Sequence, residues 1–244
     1  MTNSERRVSL MQQCVPPPGD ARPDWEIACR FAALLGYEPQ FSYTSAGDIF
    51  EEHKSCCSDV YQLQMNGISY RRLKRHAVQW PCPDYSSHGV ARRYRRKVFA
   101  TANGKARFHP VDYLPPSESL TAEYPLTLVT GRLANHWHSR TKTSHVAKLD
   151  NQNVAPFVSV NPADAAELKL VDGDAVCLMS SRGSALTTAK MDDSVTAGTV
   201  FMPFHWGQSF REDGCVNALT TGAADPISRQ PELKYCAVRL EKAV

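Results

Sequence analysis

The sequence predicts a mixed α/β chain whose C-terminal half is a small closed β-barrel, preceded by a helical and partly irregular segment. Three observations predict it. After Tyr124, short strand-like runs alternate with turns, at 125–130, 156–160, 174–180, 184–191, 198–204 and 235–241. Only a short helix interrupts them, which fits a closed barrel better than a doubly wound sheet. Before residue 120, one clear amphipathic helix leads into a Pro-punctuated stretch with little strand character.

The first helix spans Pro23 to Leu35, where Ile27, Phe31, Leu34 and Leu35 make one apolar stripe. Pro23 suits its first turn and Gly36 its end. A second helix starts near Ser45 and carries Ile49 and Phe50, and Ser69 caps a third running through Leu73. Residues 76–120 are irregular, with a hairpin expected at 98–108 around the Asn103-Gly104 turn. The run Pro-Pro-Ser-Glu-Ser at 115–119 reads as a linker, dividing 1–120 from 121–244. Beyond it, Asn161 caps a short helix with Pro162 in its first position, and Asp172-Gly173 and Arg182-Gly183 supply turns.

A chain of 244 residues can bury a sizeable core. No apolar run approaches membrane-spanning length, so no membrane partner is expected. The opening Met-Thr-Asn-Ser-Glu-Arg-Arg lacks the apolar core of a secretory signal. From Arg71 to Arg107, eleven Lys or Arg face a single carboxylate, Asp84. Such a stretch suits nucleic acid, an acidic protein or an anionic cofactor, and equally a solvated surface. The eight cysteines include no Cys-x-x-Cys pair, so no iron–sulfur or structural zinc spacing is present. Cys29 and Cys177 lie in apolar periodic segments and are expected to be buried thiols in a reducing compartment.

The most informative stretch is Tyr124–Thr143. A strand-like run ending at Val129 breaks at Thr130-Gly131-Arg132, and Asn135, His136, Trp137, His138, Ser139, Arg140, Thr141, Lys142 and Thr143 follow. Dense donors at a strand end mark a loop that holds a polar ligand. No carboxylate occurs from Pro125 to Leu149, so the ligand expected is an anion such as a pyrophosphate.

Thr130-Gly131-Arg132, His136-Trp137-His138, Pro156-Phe157-Val158 and Asn161-Pro162-Ala163-Asp164, taken with Asp172-Gly173-Asp174 and Ser181-Arg182-Gly183, resemble the last domain of the molybdopterin oxidoreductases of the dimethyl-sulfoxide-reductase superfamily. That resemblance implies a double-psi β-barrel at 121–244 that binds molybdopterin guanine dinucleotide, preceded at 1–120 by the end of the family's catalytic region. Pro203-Phe204-His205-Trp206-Gly207 and the run Asp225 to Lys234 are most similar to assimilatory nitrate reductases, as are Arg6-Arg7 and Asn103-Gly104-Lys105 upstream.

The resemblance implies a cofactor site of Thr130, Gly131, Arg132, His136, Trp137, His138, Ser139, Thr141, Phe204, Asn217 and Lys234. Gly131 would let backbone approach the ligand, and Arg132 would form paired bonds to phosphate. His136 would bond pterin or phosphate, or serve as a structural histidine. Phe204, Asn217 and Lys234 would meet guanine, its exocyclic groups and phosphate. Arg6 or Arg7 would reach a phosphate or a domain interface, or form a surface ion pair. His205 and Trp206 fall beside the cofactor without an assigned role. No catalytic residue and no metal ligand is expected in this chain.

The implied cofactor is Mo-bis(molybdopterin guanine dinucleotide). A [4Fe–4S] cluster belongs to the family's front, whose cysteine motif and molybdenum ligand are not found here. The chain therefore reads as the C-terminal part of a larger cytoplasmic nitrate reductase, inactive alone. Its partners would be the rest of the catalytic subunit and an electron donor such as ferredoxin, flavodoxin or an NADH-linked reductase. The alternatives are a fragment of a formate dehydrogenase or periplasmic nitrate reductase, and a basic nucleic-acid-binding module.

Overall fold

The computed structural model describes residues 1–153, 155–207 and 213–243. It divides into two compact units, Met1–Pro110 and Val111–Val244.

In the first unit, strands β1 (Arg7–Val8) and β2 (Val78–Gln79) pair antiparallel. Helix α1 covers Asp24–Leu34, α2 Ala46–Cys56 and α3 Tyr70–Leu73. The α2 start is a capping box, in which Ser45 accepts from the Asp48 N–H and the Asp48 carboxylate accepts from the Ser45 N–H. Ser69 caps α3 as its sequence predicts. A small core gathers Val8, Met65, Ile68, Leu73, Val78 and Cys82. The α1 stripe is not in it, because Ile27, Phe31, Leu34 and Leu35 are exposed and only Ala32 of that helix is buried.

Several basic residues here are internal struts. Arg72 is buried, and its guanidinium donates to the carbonyls of Gly67 (2.9 Å), Tyr85 (3.3 Å) and Ser87. Arg6 donates to the carbonyls of Trp80, Val90 and Ala91. Backbone carbonyls thus occupy Arg6, while Arg7 faces Glu5. Two expectations need correction. The Asn103-Gly104 turn forms, with Gly104 at φ +67° and the Phe99 N–H on the Gly104 carbonyl (2.9 Å). Its flanks do not pair as strands, since Phe99 stacks on Tyr94 at 4.8 Å and Phe108 is exposed. The fully buried thiols are Cys82 and Cys236, whereas Cys29 and Cys177 are half-buried. Cys29 shares the exposed helix α1, and Cys177 points away from the core between the inward Val176 and Leu178.

The second unit is the expected barrel. Its strands are β3 (Leu126–Gly131), β4 (Phe157–Val160), β5 (Ala175–Met179), β6 (Ser184–Met191), β7 (Thr199–Pro203) and β8 (Ala237–Lys242). They close in the order β3-β7-β4-β6-β5-β8. Two pairs, β3·β7 and β4·β6, are parallel, and the other neighbours are antiparallel. Helices α4 (Ala147–Asp150) and α5 (Pro162–Glu167) lie between β3 and β5 in the chain. Asn161 caps α5, and Asp164 in its first turn accepts the Gly198 N–H at 2.8 Å, tying the helix to the turn before β7.

Alternation fills the barrel. Leu128, Val158, Val160, Val176, Leu178, Val200, Met202, Val238 and Leu240 point inward, while β6 contributes the small Ala185 and Ala189. Small residues on one wall leave room for large ones opposite. The 115–119 linker is bound to this unit: Glu118 meets Arg182 (2.7 Å) and the Ala237 N–H (2.8 Å), and Ser117 meets Glu232.

Register fixes what lies at one end of the barrel. Gly131 closes β3 beside Pro203, which closes the parallel β7. β8 runs antiparallel to β3 and β5, so Lys234 precedes it at the same end, level with the β5–β6 turn at 180–183.

Candidate cofactor-binding rim at one end of the barrel

Four segments meet at that end: the loop after Gly131, the run Phe204–Gly207, the turn at Arg182-Gly183 with the neighbouring 216–219 turn, and Leu233–Cys236. Thr130 is buried, and its hydroxyl donates to the Leu233 carbonyl at 2.7 Å. The Lys234 ammonium donates to the Thr130 carbonyl. These two bonds clip the end of β3 to the segment leading into β8. The Phe204 N–H continues the strand pairing onto the Gly131 carbonyl at 3.1 Å.

Gly131 is required for a different approach from the one its sequence suggests. A Cβ placed there would stand 2.4 Å from the Phe201 ring. The close neighbour is protein, and the glycine admits it. Arg132 is exposed, its guanidinium 5.4 Å from the Trp137 ring and 5.8 Å from the Phe204 ring. Two aromatic faces thus hold a cation at the loop's start without neutralising it.

The loop itself turns sharply, with His138 at φ +43° and Arg140 at φ +65°. Trp137, His138, Ser139 and Thr141 are exposed along it. His136 and Arg140 turn inward. The two His136 ring nitrogens face the Thr143 hydroxyl (3.1 Å) and the Asn153 carbonyl (3.4 Å). His136 is therefore committed to holding the loop, the structural option of the two its sequence left open. Arg140 is buried against Asp150 and over the Trp206 ring. It counted among the anion donors on sequence, but Asp150, the first carboxylate beyond the loop, neutralises it internally. A buried charge needs such a partner.

His205, which follows β7, is fully buried. Its Nε2 accepts from the Leu133 N–H at 2.8 Å, and its Nδ1 faces the His138 carbonyl. Burial pushes its pKa below the usual histidine range, with the His138 carbonyl opposing and nearby His136, Arg132 and Arg140 adding to the fall. The indole N–H of Trp206 is buried, and no hydrogen-bond partner for it occurs among the described residues.

A buried network underlies the other side of the rim. The Cys236 thiol lies 2.8 Å from the Leu219 carbonyl, and the Arg182 guanidinium reaches Cys236 (3.0 Å), Leu219 (2.9 Å) and Glu118. Hydrogen bonding to Arg182 holds the Glu118 carboxyl below its ordinary range against an opposing burial effect. Burial pushes the Cys236 thiol up, so it stays protonated and inert. Asn217 is exposed beside this network, next to Ala218, whose carbonyl packs at the Gly183 turn.

The structure thus brings Thr130, Gly131, Arg132, Trp137, Phe204 and Lys234 together directly, with His138, Ser139 and Thr141 on the adjoining loop. Sequence reasoning missed the Asp150 partner and the role of His205. The first had a signal, as the carboxylate-free window ends one residue before Asp150. The second had none, since a histidine's partners depend on two distant backbone groups. Among the described residues, no group of three or more His, Cys, Asp or Glu could hold a metal ion, and no helix is long and apolar enough to cross a membrane.

Comparison with known proteins decides the family. Residues 126–237 match the molydopterin dinucleotide binding domain, and residues 1–34 match the molybdopterin oxidoreductase model. The chain carries the dinucleotide-binding domain of the molybdopterin oxidoreductases, with a match to their oxidoreductase model at its start. It is 38% identical over 241 residues to the F420-dependent formate dehydrogenase subunit alpha of Methanocaldococcus jannaschii, covering 99% of this chain and 34% of that protein. It is 37% identical over 243 residues to the assimilatory nitrate reductase catalytic subunit of Bacillus subtilis, covering 98% and 33%. Acetylene hydratase from Pelobacter acetylenicus is similar in fold, with a TM-score of 0.68 at 19% identity over 95% of this chain and 34% of that one. The chain spans about a third of the length of these relatives. Nothing in the comparisons supports the nucleic-acid-binding alternative.

Proposed function

We propose that this chain is the dinucleotide-clamping part of a molybdenum oxidoreductase catalytic subunit, and that the parent is an assimilatory nitrate reductase of the cytoplasm. One observation carries the clamp: the exposed donors Arg132, Trp137, His138, Ser139 and Thr141, in a stretch free of carboxylates, at the barrel end where Lys234 also stands.

The donor set fits a guanine dinucleotide. Arg132 is pre-oriented by Trp137 and Phe204 and offers paired bonds to a phosphate. Lys234 adds a second positive charge, and the Ser139 and Thr141 hydroxyls add neutral donors. The Phe204 ring offers a face to the purine, and Asn217 offers an amide to its edge from across the rim. Pyrophosphate removed from water without such partners would be strongly disfavoured, so a row of this kind is what the ligand needs. When bound, the molybdenum and its dithiolenes supply the redox chemistry, passing two electrons to nitrate. The residues here anchor and orient the cofactor's tails and perform no proton transfer at the metal.

The nitrate assignment rests on the resemblance of Pro203–Gly207 and Asp225–Lys234 to assimilatory nitrate reductases. Formate dehydrogenases are similar to the same degree overall. The rest of the catalytic subunit would supply the molybdenum ligand and the [4Fe–4S] cysteines, and a ferredoxin, flavodoxin or NADH-linked reductase the electrons. The exposed α1 stripe supports a larger assembly, because four large apolar side chains on one helix face form a surface that packing would stabilise.

Calorimetric titration of the chain with GDP, a stand-in for the dinucleotide's guanine end, tests the clamp. Binding is expected, weakening about tenfold in Arg132→Ala and in Lys234→Ala, as loss of a charge-assisted bond predicts. Absence of GDP binding at millimolar concentration, or wild-type affinity in both variants, would reject it. Joining the chain to the remaining two thirds of the subunit and assaying nitrate against formate tests the substrate.

A further inference from the structure

We propose that His205 is the positioning residue of the rim loop, a neutral imidazole with its proton on Nδ1 that holds Leu133 and His138 in the ligand-ready arrangement. The inference rests on the cofactor reading for its functional meaning, but its geometry stands apart from that reading.

The tautomer follows from the partners. A backbone N–H can only donate, so the Leu133 N–H at 2.8 Å requires a lone pair on Nε2. A carbonyl can only accept, so the His138 oxygen requires the proton on Nδ1. One rigid ring therefore spans the loop, gripping it near its start and at its left-handed turn. His138 at φ +43° is a conformation that non-glycine residues adopt only when their surroundings impose it. The bond to its carbonyl is one such imposition.

The surroundings favour the neutral ring. His205 is fully buried, with Phe204 and Trp206 beside it in sequence and their rings 5.0 and 6.2 Å away. The charged and titratable groups around it are His136, with ring centroids 5.4 Å apart, Arg132 and Arg140, and the Arg140 charge is shared with Asp150. No carboxylate touches the imidazole among its described partners, so nothing there would stabilise a second proton. A protonated ring would also set an Nε2–H against the Leu133 N–H, donor against donor.

The consequence for the site is geometric. Arg132 and Trp137 flank the Leu133 and His138 grips in sequence. Freeing the two grips would let the row lose its shape while every ligand-facing side chain remained present. His205 is fully buried and both its ring nitrogens are taken by the loop backbone, so its effect on binding passes through the loop.

The test uses the full chain. Long-range proton–nitrogen spectra of the His205 ring are expected to show the neutral Nδ1–H form at pH 7. An Nε2–H tautomer or an imidazolium at pH 7 would overturn the proposal. His205→Phe keeps the ring shape and removes both bonds. In that variant the Leu133 amide is expected to exchange about tenfold faster, with the β8 amides still protected. GDP affinity is expected to fall about tenfold and to be partly restored in His205→Gln, which retains a donor and an acceptor. Unchanged Leu133 exchange in a folded His205→Phe chain would overturn the strut. Unchanged GDP affinity there would overturn its positioning role. Should His205→Phe fail to fold, the wild-type spectra still decide the tautomer. Should wild-type chain fail to bind GDP, the cofactor reading falls, and the spectra and amide exchange still decide the strut.

Discussion

The two units of this molecule handle similar apolar content in opposite ways. The barrel turns every large inward-facing strand residue into a common core and leaves no open sheet edge. The N-terminal unit builds a small core and leaves the amphipathic helix α1 with its apolar face in solvent. A closed sheet supplies its own second layer. A single helix needs another body to cover its stripe, and no amount of helix propensity replaces that body. Local sequence signals are thus equally clear in both units, but only one of them closes on itself.

The largest expected effect that sharpens this contrast is Leu128→Ala at the barrel centre. It should lower stability by about 2–5 kcal/mol, through lost burial and the cavity left behind, as read by chemical denaturation. A loss below ~1 kcal/mol would mean that the barrel core is loosely packed. Next comes Gly131→Ala, where the new methyl meets the Phe201 ring. A cost of about 1–3 kcal/mol is expected, together with weaker GDP binding, because the ring and the β3 end must separate. A neutral result would show that the ring swings aside freely.

A smaller effect is expected from Glu118→Gln, about 1 kcal/mol near neutral pH, since the Arg182 pair is partly solvated. Its sign with pH is definite. The folded Glu118 carboxyl titrates below its unfolded value of about 4.3. Its stabilisation is therefore present above that value and lost as pH falls through the folded one. Wild-type barrel stability should decline more steeply than the variant's in a denaturation series below pH 4, and parallel declines would remove Glu118 from the acid response. The smallest effect belongs to Phe31→Ser on the exposed stripe of α1, within about 0.5 kcal/mol by the same measurement. A loss above ~1 kcal/mol would break the contrast, because it would show that stripe to be covered.

The sequence by itself determined a good deal. Short strand-like runs between turns placed all six barrel strands to within a residue or two, because apolar runs and turn residues are local signals. Ser45, Ser69 and Asn161 marked helix starts, because a cap is satisfied within three residues. The strand-to-donor change at Thr130-Gly131-Arg132 located the rim. The tertiary structure alone decided which donors face outward. Arg140 and His136 look like Arg132 and His138 in sequence, yet they are spent on Asp150, Thr143 and Asn153. It also decided that Gly131 admits Phe201, that Cys82 and Cys236 are the fully buried thiols, and that His205 grips the loop. Propensity and periodicity act over a few neighbours, whereas hydrogen-bond partners and burial are set by whichever distant segments closure of the barrel brings alongside.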